Sequence, residues 1–328
     1  AIIATKQTDI KKILAYSTMS QLGYMFIAVG LGFYSSGLFH VFTHAFFKAM
    51  LFMGAGGVII ALHHEQNIFN IAKHRAILPI ISATFLIGVI AISGIPPFSG
   101  FFSKDAILAA AFQEGHYLIY GIALFTAFLT AFYMFRLYFV VFVTPNHHKK
   151  EYVYTSKTIT FPLVVLAVGA VTAGFLNLPS IFGGTHMVDT WLGSLNSKTI
   201  TLSHSTEYIL MALSVLVASF GIFIAYKKYA RFDLEKPELE VGFVGRKLYV
   251  DELYDILFVK TSKAISCFID KVLDAKIIDA FIMKSSIYFV AIGRKVALIQ
   301  NANVRFYALF MLAGMTCIFV YLYLKLGL

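Results

Sequence analysis

Charge is what this sequence has least of. Lys, Arg, Asp and Glu make up 13% of its 328 residues, against about 25% in a soluble domain, which excludes the ordinary globular class. Cysteine is almost absent. Cys267 and Cys317 form no CxxC pair and lie in different segments, so this chain by itself holds neither an iron–sulfur cluster nor a structural zinc, and no disulfide framework is implied. There is no phosphate loop either. Gly54, Gly56 and Gly57 sit in an apolar run with no Lys-Ser/Thr after them, and small-residue helix packing accounts for them better. No Ser/His/Asp or Cys/His arrangement is supported, and no nicotinamide, flavin or quinone site is visible. His63-His64-Glu65 and His147-His148 fall in polar connectors and read as loop histidines rather than metal ligands.

What the chain does have is apolar length. Hydrophobic residues make up 59%, with 33 Phe and 18 Tyr, a composition that suits lipid-facing surfaces and interfacial belts. A membrane-crossing helix needs about 17–25 apolar residues. That places spans at 12–33, 36–62, 77–114, 117–143, 158–177, 205–227 and 303–326. The formal net charge of +10 sits in short loops between these runs, not on one amphipathic surface, so membrane topology explains it better than nucleic-acid binding. One side collects Lys6, Lys11, Lys12, Lys73, Arg75, Lys149, Lys150, Lys157, Lys227, Lys228, Arg231 and Lys236. The other side holds one basic residue, Lys198, in the 178–203 loop. Positive charge marks the cytoplasmic side. The chain opens on Ala1, not Met, and is expected to be the C-terminal part of a longer membrane protein.

The third span is too long and is interrupted. Ser93-Gly94-Ile95-Pro96-Pro97-Phe98-Ser99-Gly100 does not continue an α-helix, because two prolines remove donors and clash with the preceding turn. Two half-helices, about 77–93 and 101–114, are expected. Broken backbone at membrane depth survives only where protein or a watery cavity satisfies it, and transporters place ion sites at such breaks. Lys104 and Asp105 follow this break directly.

A second polar feature stands out more sharply. From Ile13 to Phe47 there is no charged residue, and another uncharged run follows Lys48 as far as His64. His40, His44 and Lys48 recur at four-residue spacing, which puts them in a line on one helical face. A lysine at the bilayer centre costs roughly 2.5–3.5 kcal/mol on insertion scales, and such residues mark ion or proton routes. Histidine titrates nearest neutrality and passes protons between its two nitrogens. Ser17, Thr18, Ser20 and Gln21 on the preceding span fit water orientation and helix packing equally well.

From about Phe243 to Ile299 charges recur every few residues, and no uncharged stretch is long enough to span. A long surface helix of about 50 residues, reaching roughly 75 Å at 1.5 Å per residue, is expected. Its charges do not share one clean arc, which argues for protein on one side and headgroups on the other. The fold class that follows is an all-α integral membrane protein: a polytopic helix bundle with one discontinuous transmembrane helix, a long lateral amphipathic helix and a final transmembrane helix. Its expected parts are a bundle at 1–227, a cytoplasmic connector and lateral helix at 228–302, and an anchor at 303–328.

The stretches Gln7-Thr8-Asp9-Ile10-Lys11-Lys12-Ile13-Leu14-Ala15-Tyr16-Ser17-Thr18-Met19-Ser20-Gln21 and His44-Ala45-Phe46-Phe47-Lys48-Ala49 resemble the antiporter-like subunits of respiratory complex I. Phe101-Phe102-Ser103-Lys104-Asp105, Tyr249-Val250-Asp251-Glu252-Leu253-Tyr254-Asp255 and the lateral helix narrow the likeness to subunit L of proton-pumping NADH-quinone oxidoreductase, in its C-terminal half. The resemblance implies that Lys48 lines a central hydrophilic axis, that His40 and His44 link that axis, and that Lys104, beside Asp105, serves the proton exit. It implies partners too: neighbouring antiporter-like subunits along the lateral helix, and other subunits holding NAD, FMN, iron–sulfur clusters and quinone, with no cofactor in this chain. The expected setting is a bacterial inner membrane. The first two motifs are shared with multisubunit sodium/proton antiporters, so a cation/proton antiporter subunit is the alternative. A third reading is a scaffold whose lateral helix clamps its neighbours.

Overall fold

The computed structural model describes residues 1–74, 76–145, 151–152, 156–179, 183–184, 187–192, 197–234, 242–298 and 303–326. Arg75, His147, His148, Lys149, Lys150 and Lys236 lie outside them. The chain divides into two units, Ala1–Tyr249 and Val250–Leu328.

The first unit is a bundle of helices: α1 (Ile10–Gly30), α2 (Tyr34–Ala61), α3 (Ile68–Lys73), α4 (Pro79–Ser93), α5 (Ser99–Gln113), α6 (Tyr117–Tyr138), α7 (Lys157–Thr172), α8 (Met187–Trp191) and α9 (His204–Tyr229). A π turn, Phe139–Val143, extends α6, and a 3₁₀ turn, Ala173–Leu176, extends α7. Among the described residues six helices are long and apolar enough to cross a membrane, and Pro79–Ser93 is a shorter apolar one. Each lies where an apolar run led the sequence to place a span. Helices satisfy their backbone groups internally, which is what hydrocarbon demands.

Local chemistry sets the boundaries. Asp9 caps α1, its carboxylate accepting from the Lys11 and Lys12 backbone N–H at 2.8 and 3.2 Å. The connector before α1 is stitched to the one before α3: Ile10 N–H donates to Gln66 O at 3.0 Å, and Ile68 N–H to Thr8 O at 2.9 Å. Beside them Glu65 accepts from the Gln66 and Asn67 N–H groups and the Asn70 amide. Those bonds, the Asn67 N–H first among them, hold its carboxyl below the usual range.

The expected break is present. α4 begins with Pro79 at its first position, where the missing N–H is no loss. It ends at Gly94, which has φ +75°, a conformation glycine adopts without penalty. Pro96 and Pro97 follow, and α5 restarts at Ser99. The restart brings α5 against the end of α4 so closely that a Cβ on Gly100 would lie 2.0 Å from the Ala91 carbonyl oxygen. Only glycine fits there.

α2 is the centre of this unit and packs on α1, α4, α5 and α7, while α6 runs along α9. Phe47, Met50 and Leu51 of α2 meet Ile81, Phe85 and Val89 of α4 in the core. Lipid tails are as apolar as leucine, so such contacts stabilise by close packing more than by removal from water.

In the second unit an unbroken helical run covers 250–297 and a final helix spans Val304–Leu326. The run is not uniformly α-helical. Asp255–Lys260 and Ile269–Asp279 are π-helical, with hydrogen bonds reaching one residue further. Asp255 and Lys260 therefore meet across five residues, at 3.4 Å, although in an α-helix they point to different sides. By the same winding Asp270, Asp274 and Asp279, at intervals of four and five, fall on one side. Lys271 and Lys276 of the same segment fall elsewhere, so the charges of the run as a whole still share no single arc. The final helix is apolar all round, as a lipid-facing span is.

Candidate functional site

Three elements converge on the polar line of α2. His40 and Lys48 are buried and His44 is partly buried. The His40 and His44 rings are 6.1 Å apart, centroid to centroid. Lys48 turns toward α1, donating from Nζ to the Leu14 carbonyl and the Ser17 hydroxyl, both at 2.9 Å. The Phe52 ring lies 5.8 Å from the same nitrogen. Ser17, which sequence alone left between two roles, is thus a direct partner of the central lysine. Ser20 Oγ, Gln21 Nε2 and His44 Nε2 are buried nearby on α1 and α2 without a hydrogen-bond partner. Unmet polar atoms at such depth are places for water.

Lys104 and Asp105, adjacent in α5, point different ways, as successive helical residues do. Lys104 Nζ donates to the Ile92 carbonyl at 2.6 Å and lies 5.3 Å from the centre of the Tyr24 ring. Ile92 is in the last turn of α4, whose carbonyls lack helical partners and carry the negative end of the helix dipole. The broken helix therefore makes its own cation site. Asp105 faces α9 instead, where Ser214 donates to its Oδ1 at 3.2 Å. It lines a cavity of about 260 Å³ together with Ser36, Asn177, Lys198 and Glu207. Lys198 in turn pairs with Glu114 at 2.7 Å.

His40 ties the two halves together. Its Nδ1 is 2.9 Å from Ser103 Oγ on α5, and its Nε2 is 3.1 Å from Gln21 Oε1 on α1. Thr43, one turn along α2, reaches Ser103 Oγ at 2.8 Å. The line from Lys48 through His44 and His40 thus meets the broken helix one residue before Lys104. Thr43, Ser103, Ser214 and Glu207 were not singled out from sequence. The available signals were slight: a serine beside Lys104 in the motif, and a carboxylate in the first turn of an apolar span. Among the described residues no three His, Cys, Asp or Glu side chains are grouped to hold a metal ion.

A family model described as "NADH:quinone oxidoreductase/Mrp antiporter, TM" matches residues 1–130, a range that contains His40, His44, Lys48, Lys104 and Asp105. NAD(P)H-quinone oxidoreductase chain 5 of Picosynechococcus sp. is 37% identical, over 94% of this chain and 52% of its own length. NADH-quinone oxidoreductase subunit L of Rickettsia bellii is 38% identical, over 86% of this chain and 46% of its own. The subunit L of Escherichia coli (strain K12) is also 38% identical, over 78% of this chain and 41% of its own. The chain belongs to the subunit L/chain 5 family.

The chain spans about half the length of these curated relatives. The structure of the Mrp complex from Dietzia sp. DQ12-45-1b matches with a TM-score of 0.52 at 18% identity, over 98% of this chain and 32% of that one. That likeness concerns the fold alone. As a subunit L/chain 5 relative, this is a multi-pass membrane protein, and its polar line on α2 and its broken α4–α5 helix both fall in the matched region.

Proposed function

We propose that this chain is part of a proton-translocating membrane subunit of an NADH-quinone oxidoreductase. It does no redox chemistry itself: partner subunits hold NAD, FMN, iron–sulfur clusters and quinone, and their electron transfer drives the protons. The observation that carries the reading is the buried polar line, Lys48 to His44 to His40, joined by Ser103 to the broken helix that seats Lys104. Nothing in lipid packing calls for such residues, and each is costly at membrane depth.

In this reading Lys48 loads and unloads a proton on the central axis. His40 and His44 carry it across with water at the unmet sites, and Lys104 receives it at the break. Asp105 passes it to the cavity beside Glu207, which opens on the side away from the basic loops. The setting is a bacterial inner membrane with the lysine-rich connectors in the cytoplasm. The lateral helix lies on that side and runs along neighbouring antiporter-like subunits. The names of the relatives favour this over stand-alone cation/proton antiport, since the Mrp likeness supports only the fold.

Arginine substitutions test the titrating role, because arginine keeps the charge but does not deprotonate in proteins. In vesicles carrying the assembled complex, Lys48→Arg and Lys104→Arg are expected to lower proton uptake and quinone reduction together, by roughly tenfold or more. Near-normal pumping in both would overturn the proposal, leaving the lysines as structural charges.

A further inference from the structure

The contacts around His40 contain more than a fixed hydrogen bond. His40, Thr43 and Ser103 are completely buried, so their ring and hydroxyl hydrogens must point at acceptors within the cluster. Gln21 Oε1 accepts only, so its contact with Nε2 assigns the imidazole proton to that nitrogen. Neutral His40 then presents a lone pair at Nδ1. Ser103 donates to it at 2.9 Å, and Thr43 donates to Ser103 at 2.8 Å.

A second arrangement is built into the same atoms. Ser103 Oγ also lies 3.2 Å from the Ser99 carbonyl, and Thr43 Oγ1 lies 3.2 Å from the His40 carbonyl. When His40 carries two protons, Nδ1–H becomes a donor and Ser103 Oγ its acceptor. The Ser103 hydrogen then turns to Ser99 O, and Thr43 goes on donating to Ser103 Oγ, whose second lone pair accepts it. The two states differ by one proton on Nδ1 and by the rotation of the Ser103 hydroxyl. Ser103 has one acceptor for each state of the ring.

We propose that Ser103, held by Thr43, is a two-position hydroxyl that accommodates His40 with one proton or with two, making Ser103 a positioning residue of the proton path. This rests on the proton-translocating reading and deepens it. The physical reason is asymmetry of cost. A buried donor or acceptor left unmet costs more than a made hydrogen bond gains. A ring that must alternate between accepting and donating therefore needs a neighbour able to do both, and a hydroxyl is the smallest such group. Ser103 also stands next to Lys104, so the group that follows the state of His40 belongs to the helix that holds the next cation.

The test uses the assembled complex in membrane vesicles, with complex content measured first. Ser103→Ala is expected to lower coupled proton uptake by about tenfold, and Ser103→Thr, which keeps a hydroxyl, to stay within about twofold of the parent. Thr43→Val should give a smaller loss that Thr43→Ser restores. The pH profile of pumping should narrow in Ser103→Ala, because neither state of His40 is then fully satisfied. Gln21 and Tyr24 of α1 and His44 of α2 face the same ring, Lys104 of α5 faces Tyr24 beside it, and all four are unchanged in every variant of Ser103 and Thr43. Parent-like turnover and profile in Ser103→Ala would overturn the proposal. So would equal damage in Ser103→Thr, since packing and not the hydroxyl would then matter. If Ser103→Ala does not assemble, the Thr43 pair decides: a loss in Thr43→Val that Thr43→Ser does not restore overturns it. Lys48→Arg and Lys104→Arg run in parallel separate the two levels. Near-normal pumping in both removes the underlying reading, whereas their loss beside an unaffected Ser103→Ala removes only this inference.

Discussion

The two units handle charge in opposite ways. In the bundle, Lys48, Lys104 and Asp105 are buried singly, each on a different neutral partner: a carbonyl and a hydroxyl, a carbonyl at a helix end, a serine. Along the lateral helix the charges other than partly buried Asp255 are exposed, and the described ion pair Asp255–Lys260 leaves both side chains about half or more open to solvent. An exposed pair is worth about 0–1 kcal/mol, whereas an ionic group in the membrane interior has to be accommodated by its surroundings. Buried charge in this protein therefore marks a place where the fold was arranged around a group, and exposed charge marks a surface. The arginine and hydroxyl substitutions above probe the first kind. Three further changes break or sharpen the contrast.

The largest effect is expected from Gly100→Val. Its Cβ would fall 2.0 Å from a backbone oxygen, and neither half-helix can give way without moving Ile92, which seats Lys104. Little assembled protein should be recovered in membranes by immunoblot. A normal level with normal pumping would mean that the break tolerates movement and is not a built cation site.

Truncation after Arg246 comes next. If the lateral helix acts as a clamp, complex content, pumping and electron transfer should fall together. Normal assembly with loss of pumping alone would assign the exposed charges a coupling role and erase the contrast between the units.

The smallest effect belongs to Asp255→Ala. Removing one partner of an exposed pair should change stability by no more than about 0.5 kcal/mol. Thermal inactivation of quinone reduction should therefore match the parent. A marked loss would show that the pair fixes the π-wound segment against something else.

Much of the bundle was legible because hydrocarbon leaves few choices. Uninterrupted apolar runs such as 205–227 must be helices, and Pro96-Pro97 must break one. Lys48 and Lys104 stood out because nearly everything around them is apolar. Ser103 and Thr43 did not, since isolated hydroxyls are common in membrane helices and bond to their own backbone, as Thr126 does with Ile122 O. What distinguished them was a partner on another helix, a fact of packing and not of spacing. The lateral helix shows the same limit: the meeting of Asp255 and Lys260 depends on a π turn, and no residue type announces one.

The sequence by itself determined the number and order of spans, the break and the line of His40, His44 and Lys48, because burial in lipid constrains each element separately. Only the tertiary structure decided that Lys104 sits on the end of α4, that Asp105 turns to Ser214 and a cavity, and that Ser103 meets His40. Those outcomes depend on where α1, α4, α5 and α9 surround α2, and helix packing is set by close contacts between residues far apart in the chain.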